Sequence, residues 1–532
     1  MTTNAATTGA GVLLTLASAQ FLMTLDSSVM NVSIATVASD VGTTVTGIQG
    51  AITLYTLVMA SLMITGGKIG EILGRKRAFA LGSVVYGLGS LVTALAPNLA
   101  LLLVGWSLLE GVGAALIMPA IVALVAANFG RADRPRAYGL IAASGAIAVA
   151  AGPLIGGLLT TYASWRWVFG GEVLLVLVIL WLTRRVTDLP GERAGRLDLT
   201  GTGLSALGLG LIVYGILRAG AWGVFNPKPG APTWLGLSPV FWLILTGGLV
   251  LRAFLGWQRY RLDHGKPVLI DPGLLGNPLL RGGLISFHLQ YLLQAGLFFA
   301  VPLFLSVALG LSAVETGLRI LPLSATLLLA AIGVPRFFPN ASPRLVVQLG
   351  FLALFAGIVT LAAALDVGVG AEVVTWPLLL AGLGIGALAS QLGSVTVSAV
   401  PDERSAEVGG LQNTVTNLGA SIGTALAGAV LISALTTSFF TGIEANPAIP
   451  PGLTAQAQVD LAGGVPFIPD DALTGALADA GVTGPTATAI VAQNEASRLD
   501  GLRSALEVLA ILALAALFIT RGIPTHQPGA RP

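Results

Sequence analysis

The chain has 532 residues, 55% of them apolar and only 10% charged, with a formal net charge of +2, 69 glycines and no cysteine. A soluble domain carries about 25% charged residues, and a mean hydropathy of +0.86 leaves too little polar surface to cover a soluble fold of this size. The missing cysteines exclude disulfides and thiolate chemistry.

Apolar runs near 20 residues, the length that crosses a bilayer, recur along the chain. They predict helices over 12–35, 47–66, 78–96, 99–127, 137–159, 166–183, 200–218, 236–256, 283–309, 314–334, 345–365, 374–399, 407–436 and 502–520. The first run has no basic flank or Ala-x-Ala site, so it reads as a retained span. No Gly-Lys-Ser/Thr loop is present, which excludes a P-loop ATPase. His264, His288 and His526 are scattered without metal-ligand spacing.

The basic residues test the count of fourteen. With a cytoplasmic N-terminus, 21 of the 27 Lys and Arg residues fall in loops or tails on that side; the exceptions are Arg166, Arg218, Lys228, Arg319, Arg498 and Arg503. This is the positive-inside bias, and it places both termini in the cytoplasm. It also gives the basic residues a task other than nucleic acid. Residues 437–500 then form a long outer loop, rich in Ala, Gly, Pro and acids, with short helices such as 470–480 expected instead of a separate core.

Weak internal symmetry accompanies the spans. RADRPRAYGL (131–140) is echoed by PDERSAEVGGL (401–411), and GRKRAFALG (74–82) by SPRLVVQLG (342–350). Parallel six-helix repeats are the build of a rocking transporter. Helices 7 and 8 would then be an inserted pair.

Several residues stand out in chain order. Asp26 lies in FLMTLDSSVMNVSIAT (21–36), where a mid-membrane carboxylate costs about 2.5–3.5 kcal/mol. At 100° per residue Thr15, Ser18, Asp26 and Ser33 share one face, expected to look into a central cavity. Burial and a nearby cationic cargo move a carboxylate's proton affinity in opposite directions, so Asp26 could exchange protons for cargo; a structural pairing is the alternative. In GGKIGEILGRKR (66–77), Gly67 and Gly74 permit close approach and a tight turn, while Arg75 can meet Asp402 or Glu403. Glu110, in LLLVGWSLLEGVGAALIMPA, is a second intramembrane acid. In SGAIAVAAGPLIGG (144–157), Gly152, Gly156 and Gly157 clear a face for packing and Pro153 kinks the helix. Trp165 and Trp167 read as interfacial belt residues, Arg166 with Glu172 as a structural pair, and Glu315 with Arg319 as an i,i+4 pair. His288, Tyr291, Gln294 and Phe298 recur at helical spacing, as do Asn413 and Asn417, and both sets are cavity or interhelix candidates.

GGKIGEILGRKR resembles the loop between helices 2 and 3 of the major facilitator superfamily. SGAIAVAAGPLIGG resembles the Gly-x-x-x-Gly-Pro-x-x-Gly-Gly signature of its exporters, and LDSSVMNVS resembles helix 1 of its fourteen-helix drug:proton antiporters. Glu71 and Ile72 depart from the usual Asp and basic residue, and Ser107 and Glu110 stand where the family shows Arg and Gln.

The resemblance implies an all-α transmembrane fold of two six-helix bundles plus two inserted helices, divided as 1–185, 186–282 and 283–532. It implies proton-coupled multidrug efflux of lipophilic or amphiphilic molecules, with Asp26 carrying protons; Glu110, a departure from the family, is on its own chemistry a second proton carrier or cation ligand, or a structural pair. Asp26, Asn31, Glu110, His288, Tyr291, Gln294, Phe298, Asn413 and Asn417 would touch cargo. Gly67, Glu71, Gly74, Arg75, Gly152, Pro153, Gly156 and Gly157 would gate. The expected partners are a small molecule, protons and the lipid bilayer of the cell membrane, with no nucleic acid, metal, cofactor or enzymatic step, in a monomer. Two alternatives stay open: a dedicated exporter of one antibiotic, siderophore or lipid, and a non-transporting sensor or assembly partner.

Overall fold

The computed structural model describes residues 2–43, 45–188, 196–461 and 464–526. Fourteen helices in it are long and apolar enough to cross a membrane, and the described residues form no strand ladder. They are α1 (Thr2–Asp40), α2 (Val45–Leu73), α3 (Arg75–Ala94), α4 (Leu99–Asn128), α5 (Arg134–Tyr162), α6 (Arg166–Leu182) and α7 (Leu199–Trp222). The series continues with α8 (Pro239–Asp263), α9 (Pro278–Leu303), α10 (Ala313–Phe337), α11 (Pro343–Ala364), α12 (Thr375–Ser398) and α13 (Ser405–Ala445). Two short helices, α14 (Pro451–Asp460) and α15 (Asp470–Asp479), precede the last span, α16 (Gly484–Ile519). The chain is a multi-pass membrane protein.

Local chemistry sets the helix starts. Pro239, Pro278 and Pro343 open α8, α9 and α11, where a missing N–H costs nothing. Asn98, Asp198, Ser238 and Asn277 cap their helices by accepting a backbone N–H. Ser312 and Glu315 form a reciprocal capping box at α10. The expected Glu315–Arg319 pair is thus corrected: the start of the helix offers Glu315 nearer donors.

Helices α1–α6 pack mainly on one another, as do α9–α13 with α16, while α7 lies on α8 and also meets α2 and α13. Asp198 ties α7 to α8, accepting from Trp257 Nε1 and Gln258 Nε2 and pairing with Arg261.

Loops 74, 129–133 and 399–404 gather at one end of the bundle, called here the basic end. There the two helix groups meet through glycines. A Cβ on Gly67 would sit 2.7 Å from Ala406 O, one on Gly409 2.8 Å from Pro119 O, and one on Gly139 2.6 Å from Ala331 O. Guanidinium bonds reinforce the closure. Arg75 Nη2 donates to Asp402 O (3.1 Å) and Glu403 O (2.6 Å), and Arg134 Nη2 donates to Asp402 Oδ2 (3.0 Å). Arg75 therefore meets backbone carbonyls where the sequence suggested carboxylates, because Arg134 already holds the Asp402 side chain. Gly74 alone separates α2 from α3, at φ +95°, a conformation that favours glycine. Glu71 pairs with Lys68 at 2.8 Å, one turn back on its own helix.

At the opposite end, α13 and α16 run further than their apolar stretches and reduce the expected 437–500 loop to residues 446–483. A helix at Asp470–Asp479 is present, close to the expected 470–480. The segment shares an apolar cluster with the helix extensions: Leu435, Phe439, Ile443, Ile449, Val465 and Ile490. Arg498 of α16, fully buried, pins it by donating to Ile468 O (2.7 Å) and Asp470 Oδ1 (2.6 Å). Replacing Arg498 by Ala strands these acceptors, at about 1–3 kcal/mol. Arg498→Ala is expected to lower the Tm in detergent and speed proteinase K cleavage within 464–483 relative to wild type.

Candidate functional site

A cavity of about 280 Å³ lies between the two helix groups. One side presents Gln20, Met23, Thr24 and Ser27 of α1 with Tyr55 and Met59 of α2; the other presents Phe287, Gln290, Tyr291 and Gln294 of α9 with Gln412, Asn413, Thr416 and Asn417 of α13. The lining mixes aromatic and thioether surface with amides. It suits a cargo that is largely apolar but bears a few polar groups. Two lining residues, Gln290 and Gln412, each have a buried Oε1 with no hydrogen-bond partner among the described residues.

Tyr291, Gln294, Asn413 and Asn417 line this cavity as expected from their spacing. Other expected contacts lie elsewhere. His288 turns its Nδ1 to Val415 O at 3.0 Å, in the seam between α9 and α13. Phe298 packs against the core of the second helix group. The side chain of Asn31 lies outside the described residues, as does that of Pro153.

Asp26 does not look into the cavity. The cavity face of α1 is Gln20–Met23–Thr24–Ser27, and Asp26 lies roughly 120° around the helix from its centre. The polar face read from the sequence exists: Thr15, Asp26 and Ser33 are at most 1% exposed. It turns inward to its own helix group, where Ser33 meets Thr160 at 2.8 Å. This corrects the expectation of a hydrated Asp26 facing cargo.

Asp26 instead belongs to a nest of three buried acids. A carboxylate oxygen each from Asp26, Glu110 of α4 and Glu172 of α6 lie within 4.8 Å of one another. At an effective dielectric of 20, two unit charges at that distance repel by about 3 kcal/mol. Trp106 Nε1 donates to both oxygens of Asp26, at 2.8 and 2.9 Å. Trp106 stacks flat on Tyr55, ring centroids 5.3 Å apart. Ser90 Oγ donates to Glu172 Oε2 at 3.0 Å, and Thr93 Oγ1 lies 3.3 Å from Glu110 Oε1.

The backbone brings these groups together. Wide π-type turns over Leu103–Glu110 shift the register of α4. Gly89 has no side chain where a Cβ would sit 2.6 Å from Glu110 Cγ. Gly152 and Gly156 of α5 likewise receive α1, at Ser28 and Val29, so the expected small-residue contact exists; Gly157 is half-buried beside it.

None of the ion pairs among the described residues includes these three acids. The expected Arg166–Glu172 pair is corrected: Arg166 pairs with Asp40, and Trp165, buried, donates to the same carboxylate at 2.9 Å. Trp167, 67% exposed, fits an interfacial position. Sequence reading missed Trp106, Gln290 and the membership of Glu172. One signal was available, because residues six apart on a helix are about 120° apart and do not pair. A divalent metal fits the nest poorly. A hard cation wants six or more oxygens, and the indole N–H already occupies the approach to both Asp26 oxygens.

Known proteins resemble this chain over most of its length. The model of the Major Facilitator Superfamily matches residues 16–424. The puromycin resistance protein pur8 of Streptomyces alboniger is 31% identical over 443 residues, 82% of this chain and 84% of that protein. The tetracenomycin C resistance and export protein of Streptomyces glaucescens is 29% identical, covering 79% and 76%. Among solved structures, the human organic anion transporter MFSD10 (TETRAN) superposes with a TM-score of 0.58 over 97% of this chain and 98% of that one, at 14% identity. A family match across most of the spans, on a bundle of fourteen membrane-length helices closed around a central cavity, shows that the chain belongs to the major facilitator superfamily and is a transporter, not an enzyme.

Proposed function

We propose that this transporter exports lipophilic or amphiphilic small molecules in exchange for protons, by rocking 1–185 against 283–532 around the cavity, with 186–282 as the inserted pair. The observation that carries the reading is the adjacency of the amide- and aromatic-lined cavity to the unpaired carboxylates behind it. On this reading the basic end and both termini face the cytoplasm, the chain sits in the cell membrane as a monomer, and the closed end is the cytoplasmic one. Gly67, Glu71, Gly74 and Arg75 hold that end shut; Gly152 and Gly156 keep α5 tight on α1, and Pro153 and Gly157 gate with them. Asp26 and Glu110 carry protons, and the cavity carries cargo.

Related proteins support export: besides the two Streptomyces proteins, the methyl viologen resistance protein SmvA of Salmonella typhimurium is 30% identical over 443 residues. The name of the tetracenomycin C protein favours a second reading, a dedicated exporter of one compound. Ethidium efflux from proteoliposomes after a pH jump separates them. Flux of ethidium supports the broad exporter, flux of a single native metabolite alone supports the dedicated one, and a purified protein that moves nothing sinks both. Within the cavity, Gln290→Leu is expected to raise the KM for ethidium about two- to tenfold with little change in maximal rate, the loss of one ordinary hydrogen bond.

A further inference from the structure

The proton-coupled reading names two acids, yet the nest contains three. Glu172 is 2% exposed and Asp26 and Glu110 are fully buried. Five elements wall the nest: α1, α2 through Tyr55, α3 through Tyr86, Ser90 and Thr93, the wide turns of α4, and α6. The ionisable groups they bring are the three acids and the two tyrosines; no Lys, Arg or His is paired with the acids among the described residues. Among the described residues, Glu110 Oε2 and Glu172 Oε1 are buried with no hydrogen-bond partner, and Tyr86 lies beside Asp26.

The hydrogen bonds count the protons. Asp26 accepts the indole N–H on both oxygens, the pattern of an anion. Thr93 donates its one hydroxyl proton to Gly89 O at 2.8 Å, so its 3.3 Å approach to Glu110 is satisfied when Glu110 is the donor. Glu172 has one oxygen 3.0 Å from Ser90 Oγ, whose single proton also has Tyr86 O at 3.3 Å, and among the described residues its other oxygen has no partner. One anion and two protonated acids fit this geometry; three anions would repel with no compensating cation.

Resting on the proton-coupled reading, we propose that Asp26, Glu110 and Glu172 form one occluded site that holds two protons in this state, with Glu172 the carboxylate that raises the exchange above a single proton. Trp106, stacked on Tyr55, separates the site from cargo, so the two occupants exchange without touching.

Ethidium carries one positive charge, which makes the test direct. Exchange of two protons for one ethidium moves net charge and follows voltage, whereas one-for-one exchange is electroneutral. In proteoliposomes without a pH gradient, a potassium–valinomycin potential of about 100 mV is expected to drive about a fiftyfold ethidium gradient with wild type. It should drive none with Glu172→Gln, which keeps exchange driven by a pH gradient, while Glu172→Asp restores the voltage response. A wild type driven by pH but indifferent to voltage overturns the proposal, as does a Glu172→Gln protein that still follows voltage. A wild type indifferent to both refutes proton coupling itself. Should Glu172→Gln fail to fold, proton release on ethidium binding to detergent-solubilised wild type decides: two protons per ethidium uphold the site, one or none overturns it.

Discussion

Asp26→Asn is expected to abolish concentrative transport while leaving the protein inserted and able to bind cargo. Exchange of two protons for one ethidium moves one net charge, which through 100 mV supplies about 2.3 kcal/mol and sustains roughly a fiftyfold gradient. Without the Asp26 carboxylate the nest has no anion to which Glu110 or Glu172 can pass a proton, and that ratio should fall to about one. The asparagine still accepts one bond from Trp106, so the packing of α1 on α4 survives and expression should be close to normal. Because Asp26 lies behind the cavity wall, the ethidium Kd should change by less than about threefold, a ground-state effect smaller than one ordinary hydrogen bond. Fluorescence titration in detergent beside efflux in proteoliposomes separates the two. Lost flux with retained binding supports the reading; a Kd that rises in step with lost flux would mean that Asp26 is a cargo ligand.

The second large effect is expected at the closed end. A valine at Gly67 places its Cβ 2.7 Å from Ala406 O, well inside contact distance. Overpacking of this kind costs about 1–3 kcal/mol. Here the strain acts only when the two helix groups meet, so the closed form should lose population by about fivefold to a hundredfold. The natural chain has no cysteine, so paired single cysteines at the ends of α2 and α13 report the distance without background labels. Gly67→Val should lengthen that distance and slow cargo release, and Gly67→Ala should do so less. An unchanged distance distribution in Gly67→Val would show that the contact does not govern closure.

The membrane spans were legible in the sequence because hydropathy is a property of the chain alone. The short turn between α2 and α3 was legible too, since the glycine of GRKR with bases after it reads as a tight loop between two spans, and Gly74 alone forms that turn at φ +95°. The orientation of Asp26 was not. A helical wheel gives the angles between residues of one helix, but it does not say which neighbour each face meets. Thr15, Asp26 and Ser33 do share a face, and that face meets α4, α5 and α6 instead of the cavity. The ends of α13 and α16 were hidden for a different reason: their extensions leave the apolar zone, so hydropathy stopped while hydrogen bonding and the cluster around Phe439 carried the helices on. Trp106 was invisible because an indole in an apolar run looks like packing until a carboxylate from another helix is found against its N–H.

The ring pair of Tyr55 and Trp106 has a mechanical corollary. Tyr55 belongs to the cavity wall, and the indole lying parallel to it, 2° from coplanar, grips Asp26. Two plates in face contact slide or tilt together more readily than they separate. On the proton-coupled reading, a guest pressing on the phenol would nudge the indole, and the indole's N–H would loosen or tighten its hold on the acid. On that reading, arrival on one side of a two-ring lever would be felt on the other.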